Sequence, residues 1–143
     1  MAPQMQQQPD LAWLLDDLMV KVVGVARVVV LSNDGLLLAA SRGLHRDDAE
    51  TIAAAASGLQ SLARSNGAIA NAGALRQTMV EYEQGNLFVC AAGPNACLAA
   101  QSTAEVDVGV LAFELARLVT SVGRYLSTPQ RTAAQATSAT LAQ

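Results

Sequence analysis

One histidine, two cysteines and a few clustered carboxylates are the side chains of this 143-residue chain best suited to chemistry. His45 stands alone in the loop Gly43-Leu44-His45-Arg46. A histidine-based triad needs a nucleophile and an orienting acid around it, and nothing in the sequence nominates either. A solvent-facing loop histidine is the plainer reading, with a functional one as the alternative. Cys90 and Cys97 have no second thiol pair and no histidine nearby, so they do not make a zinc set. Their spacing is not the C-x-x-C of a redox motif either. They read as buried thiols that pack as small hydrophobes, with a cross-strand disulfide as the disfavoured alternative. The carboxylates Asp16-Asp17, Asp47-Asp48-Glu50 and Glu105-Asp107 crowd helix starts or a wet helix face. Caps and complements to the helix dipole account for the last two groups without acid–base catalysis. No G-x-x-x-x-G-K-[ST] is present, the only lysine being Lys21, and no G-x-G-x-x-G follows a strand. The expectation is a non-enzyme with no catalytic residue, cofactor or metal site.

Composition narrows the partners. Hydrophobic residues make up 52%, charged residues 15% and aromatics only 3%, so aliphatics and alanine must build the core. The net charge of −3 and a scatter of single basic residues argue against nucleic acid, whose phosphates reward a concentrated basic face. Residues 1–9 carry neither the basic n-region nor the apolar h-region of a signal peptide. The most apolar stretch, 22–31, is interrupted by Arg27 and is too short to span a bilayer. A reducing, cytoplasmic setting is expected.

Residues 10–127 are expected to carry the fold, between disordered tails at 1–9 (glutamine-rich) and 128–143 (Ala/Thr/Gln/Ser). Asp10 reads as a helix N-cap. Leu11, Leu14, Leu15, Leu18 and Val22 then share one helical face, supported by an Asp17–Lys21 pair and ended by Gly24. Strands are predicted at 25–32 and 36–41 around the Asn33-Asp34-Gly35 turn. A second helix is capped by Asp47 or Asp48 and runs to about Asn66-Gly67, with a core stripe of Ile52, Ala55, Ala56, Leu59, Leu62 and Ala63. Three more strands follow at 75–83, 87–92 and 97–103, with turns at Gln84-Gly85-Asn86 and Gly93-Pro94-Asn95. Asp107 caps a last helix whose predicted buried face is Val108, Leu111, Leu115, Leu118, Val119 and Val122. The order α-β-β-α-β-β-β-α, with tight hairpins, implies an α+β domain built on an antiparallel sheet.

Two features suggest contact surfaces. In the second helix Ala54, Gly58, Ser61 and Ser65 form a second stripe of small side chains, about a third of a turn from the core stripe. Glycine inside a helix costs roughly 0.5–1 kcal/mol relative to alanine, and close approach of another backbone would offset it. An ordinary solvated Ala/Ser face is the alternative. On the first helix Trp13 lies opposite the leucine stripe, beside Val20. Either the N-terminal residues fold over this pair or a partner covers it, tryptophan being enriched at binding hot spots.

The Asn33-Asp34-Gly35 hairpin, the small-residue second helix, the Glu83-Gln84-Gly85-Asn86-Leu87 hairpin and the Ala91-Ala92-Gly93-Pro94 turn resemble roadblock (dynein light chain) domains. So does the Asp107-Val108-Gly109-Val110-Leu111 entry into the final helix. The resemblance spans residues 10–127 and is strongest to the bacterial branch, particularly the roadblock component of conservon-type operons. It implies a five-stranded antiparallel sheet with the second helix on one face and the first and last on the other. It also implies homodimers joined through the second helix and third strand. Thr78, Met79 and Val80 would then sit in the seam beside Ala54, Gly58, Ser61 and Ser65, with no register claimed for Arg76 and Glu81. The implied function is to regulate or scaffold a Ras-like small GTPase, chiefly by ordering it. A structural adaptor indifferent to nucleotide is the alternative, and a small-ligand sensor is the least supported.

Overall fold

The computed structural model describes residues 9–127, with side chains from Leu11; the predicted tails lie outside the described residues except for Pro9. Helix α1 (Pro9–Lys21) leads into strands β1 (Val25–Ser32) and β2 (Leu37–Ala40), and helix α2 (Arg46–Ala70) follows. Strands β3 (Gln77–Tyr82), β4 (Gly85–Ala91) and β5 (Ala96–Thr103) and helix α3 (Val108–Ser127) complete the chain. The strands form one sheet in the order β2-β1-β5-β4-β3, with every neighbouring pair antiparallel. The expected element order is therefore the observed one.

Alternation along the inner strands sends side chains to both faces of the sheet. Val28, Val30, Leu98 and Ala100 join a core under α1 and α3, built on Leu11, Leu15, Leu18, Leu111, Leu115 and Val122. Val29, Leu31, Cys97 and Ala99 join a second core under α2, with Ala49, Ile52, Ala53 and Ala56. One helix thus covers one face and two cover the other.

The helix ends differ from the sequence expectation in instructive ways. α1 opens at Pro9, where proline's missing N–H is one that a first turn leaves unpaired anyway, and Asp10 lies inside the helix. The Asp17–Lys21 pair forms at 2.9 Å. α2 is capped by His45, not Asp47 or Asp48: His45 Nδ1 accepts from the Asp47 N–H at 3.2 Å. Asp47 and Asp48 occupy the first turn instead, where their charge complements the dipole. The helix also continues past Gly67 and stops at Asn71, whose φ of 56° is left-handed. Asp107 caps α3 as expected, its Oδ1 accepting from the Val110 N–H at 3.1 Å. Val108, expected in the core, is exposed in the first turn of α3, and Val106 just ahead of the helix is buried.

The core stripe of α2 is rotated from the expected one. Ala49, Ile52, Ala53, Ala56 and Gln60 are buried, Leu59 and Ala63 half-buried, and Ala55 and Leu62 exposed. Hydrophobicity favours leucine over alanine, but the sheet selects the face whose small side chains seat the helix against Val29, Leu31 and Val89. Cys90 and Cys97 sit on adjacent strands but in opposite cores, so they are free thiols and no disulfide joins them. Burial pushes the Cys90 thiol up to about 11, with a smaller contribution from Cys97.

Two positions test this packing. A Cβ on Gly85 would come within 2.7 Å of the Ser102 carbonyl oxygen, a backbone atom in a paired strand. Gly85→Ala is expected to lower unfolding stability by about 1–3 kcal/mol in urea titrations; a neutral result would show that the β4–β5 ladder yields. Gln60 is 1% exposed; its Oε1 accepts from Thr78 Oγ1 at 2.8 Å, while Nε2 has no partner among the described residues. Gln60→Met keeps the volume and removes the orphan donor, and half-buried Thr78 can turn to water. Stability should be unchanged or raised by up to about 1 kcal/mol, since an unsatisfied buried polar group costs at least that.

Candidate functional site

The groups singled out for chemistry do not converge. His45 is committed to capping α2, and the two thiols are separated by the sheet. Asp16 accepts from the Arg42 backbone N–H at 2.6 Å, which ties α1 to the loop after β2. Glu50 pairs with Arg46 at 2.9 Å. Among the described residues no group of three or more His, Cys, Asp or Glu is arranged to hold a metal ion. No helix among them is long and apolar enough to cross a membrane.

The surfaces are better defined. Ala54, Gly58, Ser61 and Ser65 are all exposed. At 100° per residue Gly58 falls on the side of α2 opposite the buried face. This is further round than the expected third of a turn, because the core stripe is rotated. Among the described residues a Cβ on Gly58 would meet nothing within 4 Å. Leu62 (72% exposed) and Ile69 (87%) lie on the same outward side, four residues after Gly58 and Ser65. The sequence reading placed Leu62 in the core and passed over Ile69. The i,i+4 spacing from two members of the small-residue stripe, Gly58 and Ser65, was the signal that would have found both.

Strand β3 lies at one edge of the sheet and is tied to α2 by the Gln60–Thr78 hydrogen bond. Its residues divide by face. Val80 packs with the core under α2, and Thr78 shares that side. Met79 is 43% exposed on the other side, opposite Phe88. Strand alternation puts Glu81 with Met79 and Arg76 with Thr78. Residues directly opposite in a sheet share a face, so Arg76 and Glu81 cannot pair across a two-fold that continues the sheet.

Trp13 (63% exposed) and Val20 (80%) belong to the other layer. Trp13 lines a depression of about 240 Å³ between α1 and α3, with Asp17, Lys21, Glu114, Arg117 and Ser121. Val20 is not part of it. Phe113 is also exposed, with the Arg117 guanidinium 5.9 Å from its ring centre, a cation–π arrangement. Phe113 went unnoticed in the sequence because the last helix reads as amphipathic without it. The two candidate surfaces therefore lie on opposite faces of the sheet.

This arrangement has known counterparts. The Roadblock/LC7 domain profile matches residues 11–102. The crystal structure of a Roadblock/LC7 domain from Streptomyces avermitilis is 43% identical, covers 82% of this chain and 98% of its own, and superposes with a TM-score of 0.79. A second Roadblock/LC7 domain structure from that organism is 40% identical, with coverages of 78% and 96% and a TM-score of 0.65. MglB of Myxococcus xanthus shares the fold at 11% identity and a TM-score of 0.75, covering 82% of this chain and 94% of its own. No curated protein sequence matches. A profile matching most of the chain and relatives of 40% identity or more lead to one conclusion: the chain belongs to the Roadblock/LC7 domain family.

Proposed function

We propose that the chain is a homodimeric, non-catalytic binding domain that regulates or scaffolds a Ras-like small GTPase in the cytoplasm, with residues 10–127 as the working unit. The observation that carries the reading is the outward face of α2. It is a glycine-centred strip of small side chains flanked by Leu62 and Ile69, on a helix that the Gln60–Thr78 hydrogen bond ties to the edge strand β3. Small side chains let two helices approach closely, and an edge strand offers backbone groups to a second copy. Ala54, Gly58, Ser61 and Ser65 form the helical half of that seam, and Thr78, Met79 and Val80 the strand half. Trp13 and Val20, on the opposite layer, remain available to the GTPase, the partner class that family resemblance supplies.

Gly58→Leu fills space that is open among the described residues, so the fold should survive and the dimer should not. Sedimentation equilibrium is expected to show monomers with an unchanged thermal melt; persistent dimers would remove α2 from the seam. With a purified Ras-like GTPase, the protein is expected to bind the GTP- and GDP-loaded forms with affinities differing by about fivefold or more, and to hydrolyse no GTP alone. Equal affinities would favour a nucleotide-indifferent adaptor, and no binding to either form would overturn the reading. Trp13→Ala should weaken that complex by about tenfold, the scale of a modest hot spot.

A further inference from the structure

α2 is longer than the strands it crosses: its 25 residues span about 37 Å, and an eight-residue strand spans about 26 Å. Its last turns overhang the end of the sheet, and the chain returns beneath them through residues 72–77 to enter β3. Between the two lies a cleft of about 1190 Å³, bounded also by Asn33 and by Ala91, Gly93 and Pro94 of the β4–β5 hairpin.

The charge in this cleft is one-sided. Arg64 and Arg76 line it and no aspartate or glutamate does. Lys21, Arg42, Arg46 and Arg117 each have a carboxylate within 4 Å, whereas Arg64 and Arg76 have none among the described residues. Both side chains are exposed. Arg64 nevertheless reaches inward, with Nη2 3.9 Å from Cys97 Sγ; that thiol donates to Asn33 Oδ1 at 3.4 Å, and Asn33 Nδ2 donates to the Pro94 carbonyl at 3.0 Å. At the C-terminal end of α2, Gly67 O and Ala68 O are turned to the chain itself, accepting from the Ala72 and Asn71 N–H groups. In a chain of net charge −3, this concavity gathers two guanidiniums and no carboxylate in its lining.

We infer that this cleft docks an extended acidic segment of a protein partner. The two guanidiniums come from different elements and are suited to separate carboxylates spaced along a chain. The rest of the lining is neutral, with Ala63, Gly73, Leu75 and Pro94 for apolar contact and Asn66 and Gln77 for backbone hydrogen bonds. The space far exceeds that of one compact oxyanion. Nucleic acid is disfavoured by the absence of further basic groups in the lining. The assignment does not depend on the GTPase reading.

Fluorescence anisotropy on the full chain with a fluorescein-labelled oligoglutamate peptide tests it, with inorganic phosphate as competitor. Saturable binding is expected, weakening steeply as salt rises from about 50 to 300 mM. Arg64→Ala with Arg76→Ala should reduce affinity about tenfold, and the double Arg→Lys variant should recover most of it. Thermal melts confirm that the variants are folded. Absence of binding, salt-independent binding, equal affinity in the alanine variant, or displacement by low-millimolar phosphate would each overturn the proposal.

Discussion

The inner strands β1 and β5 must be covered on both faces, and most of the architecture follows from that requirement. Val28 and Val30 point one way and Val29 and Leu31 the other, and all four are fully buried. β5 is inserted between β1 and β4, so its backbone pairs on both sides while Leu98 and Ala100 face one core and Cys97 and Ala99 the second. A sheet built this way cannot leave a face to water without exposing a continuous apolar run. Helices are therefore needed on both sides. The chain supplies two leucine-rich helices to one face and a single alanine-rich helix to the other.

That asymmetry determines where contact surface remains. α1 and α3 share the burial of one face, and their leucines fill it. α2 covers the other alone, and it seats by apposing Ala49, Ala53 and Ala56 to the strand side chains. Small side chains on the buried strip leave most of the helix circumference outside the core. Gly58 is at the centre of what is left, and among the described residues nothing packs against the space a Cβ would take there. The conformational cost of a mid-helix glycine is thus not offset by packing among the described residues, and the proposed seam is the contact that would offset it. The length of α2 has a separate consequence, since its overhang creates the arginine-lined cleft.

The two layers also differ in chemistry. The α1/α3 side presents an exposed indole, an exposed phenyl ring and mixed charge around a shallow depression. The α2 side presents small and aliphatic groups and, at its end, uncompensated positive charge. Surfaces so unlike, on opposite faces of one sheet, can bind different chains at once without competing. This is the geometry that the proposed scaffold role requires.

Local chemistry was enough to read the element order, because each turn carries its own signal. Asn33-Asp34-Gly35 closes a hairpin with Gly35 at a φ of 92°, and Asp107 caps the helix it precedes. The leucine stripes of α1 and α3 were legible for the same reason: a strong 3.6-residue period buries itself wherever it lands. α2 was misread because its apolar residues are spread round the helix, so periodicity could not say which side meets the sheet. Only the packed sheet decided that Ala53 and Gln60 go in while Leu62 stays out. The capping role of His45, the separation of Cys90 from Cys97 and the meeting of Arg64 with Arg76 were likewise settled in three dimensions. The sequence determined the fold through short-range periods and turn chemistry. The surfaces depend on rotation, overhang and strand parity, which arise only when distant segments are packed against one another.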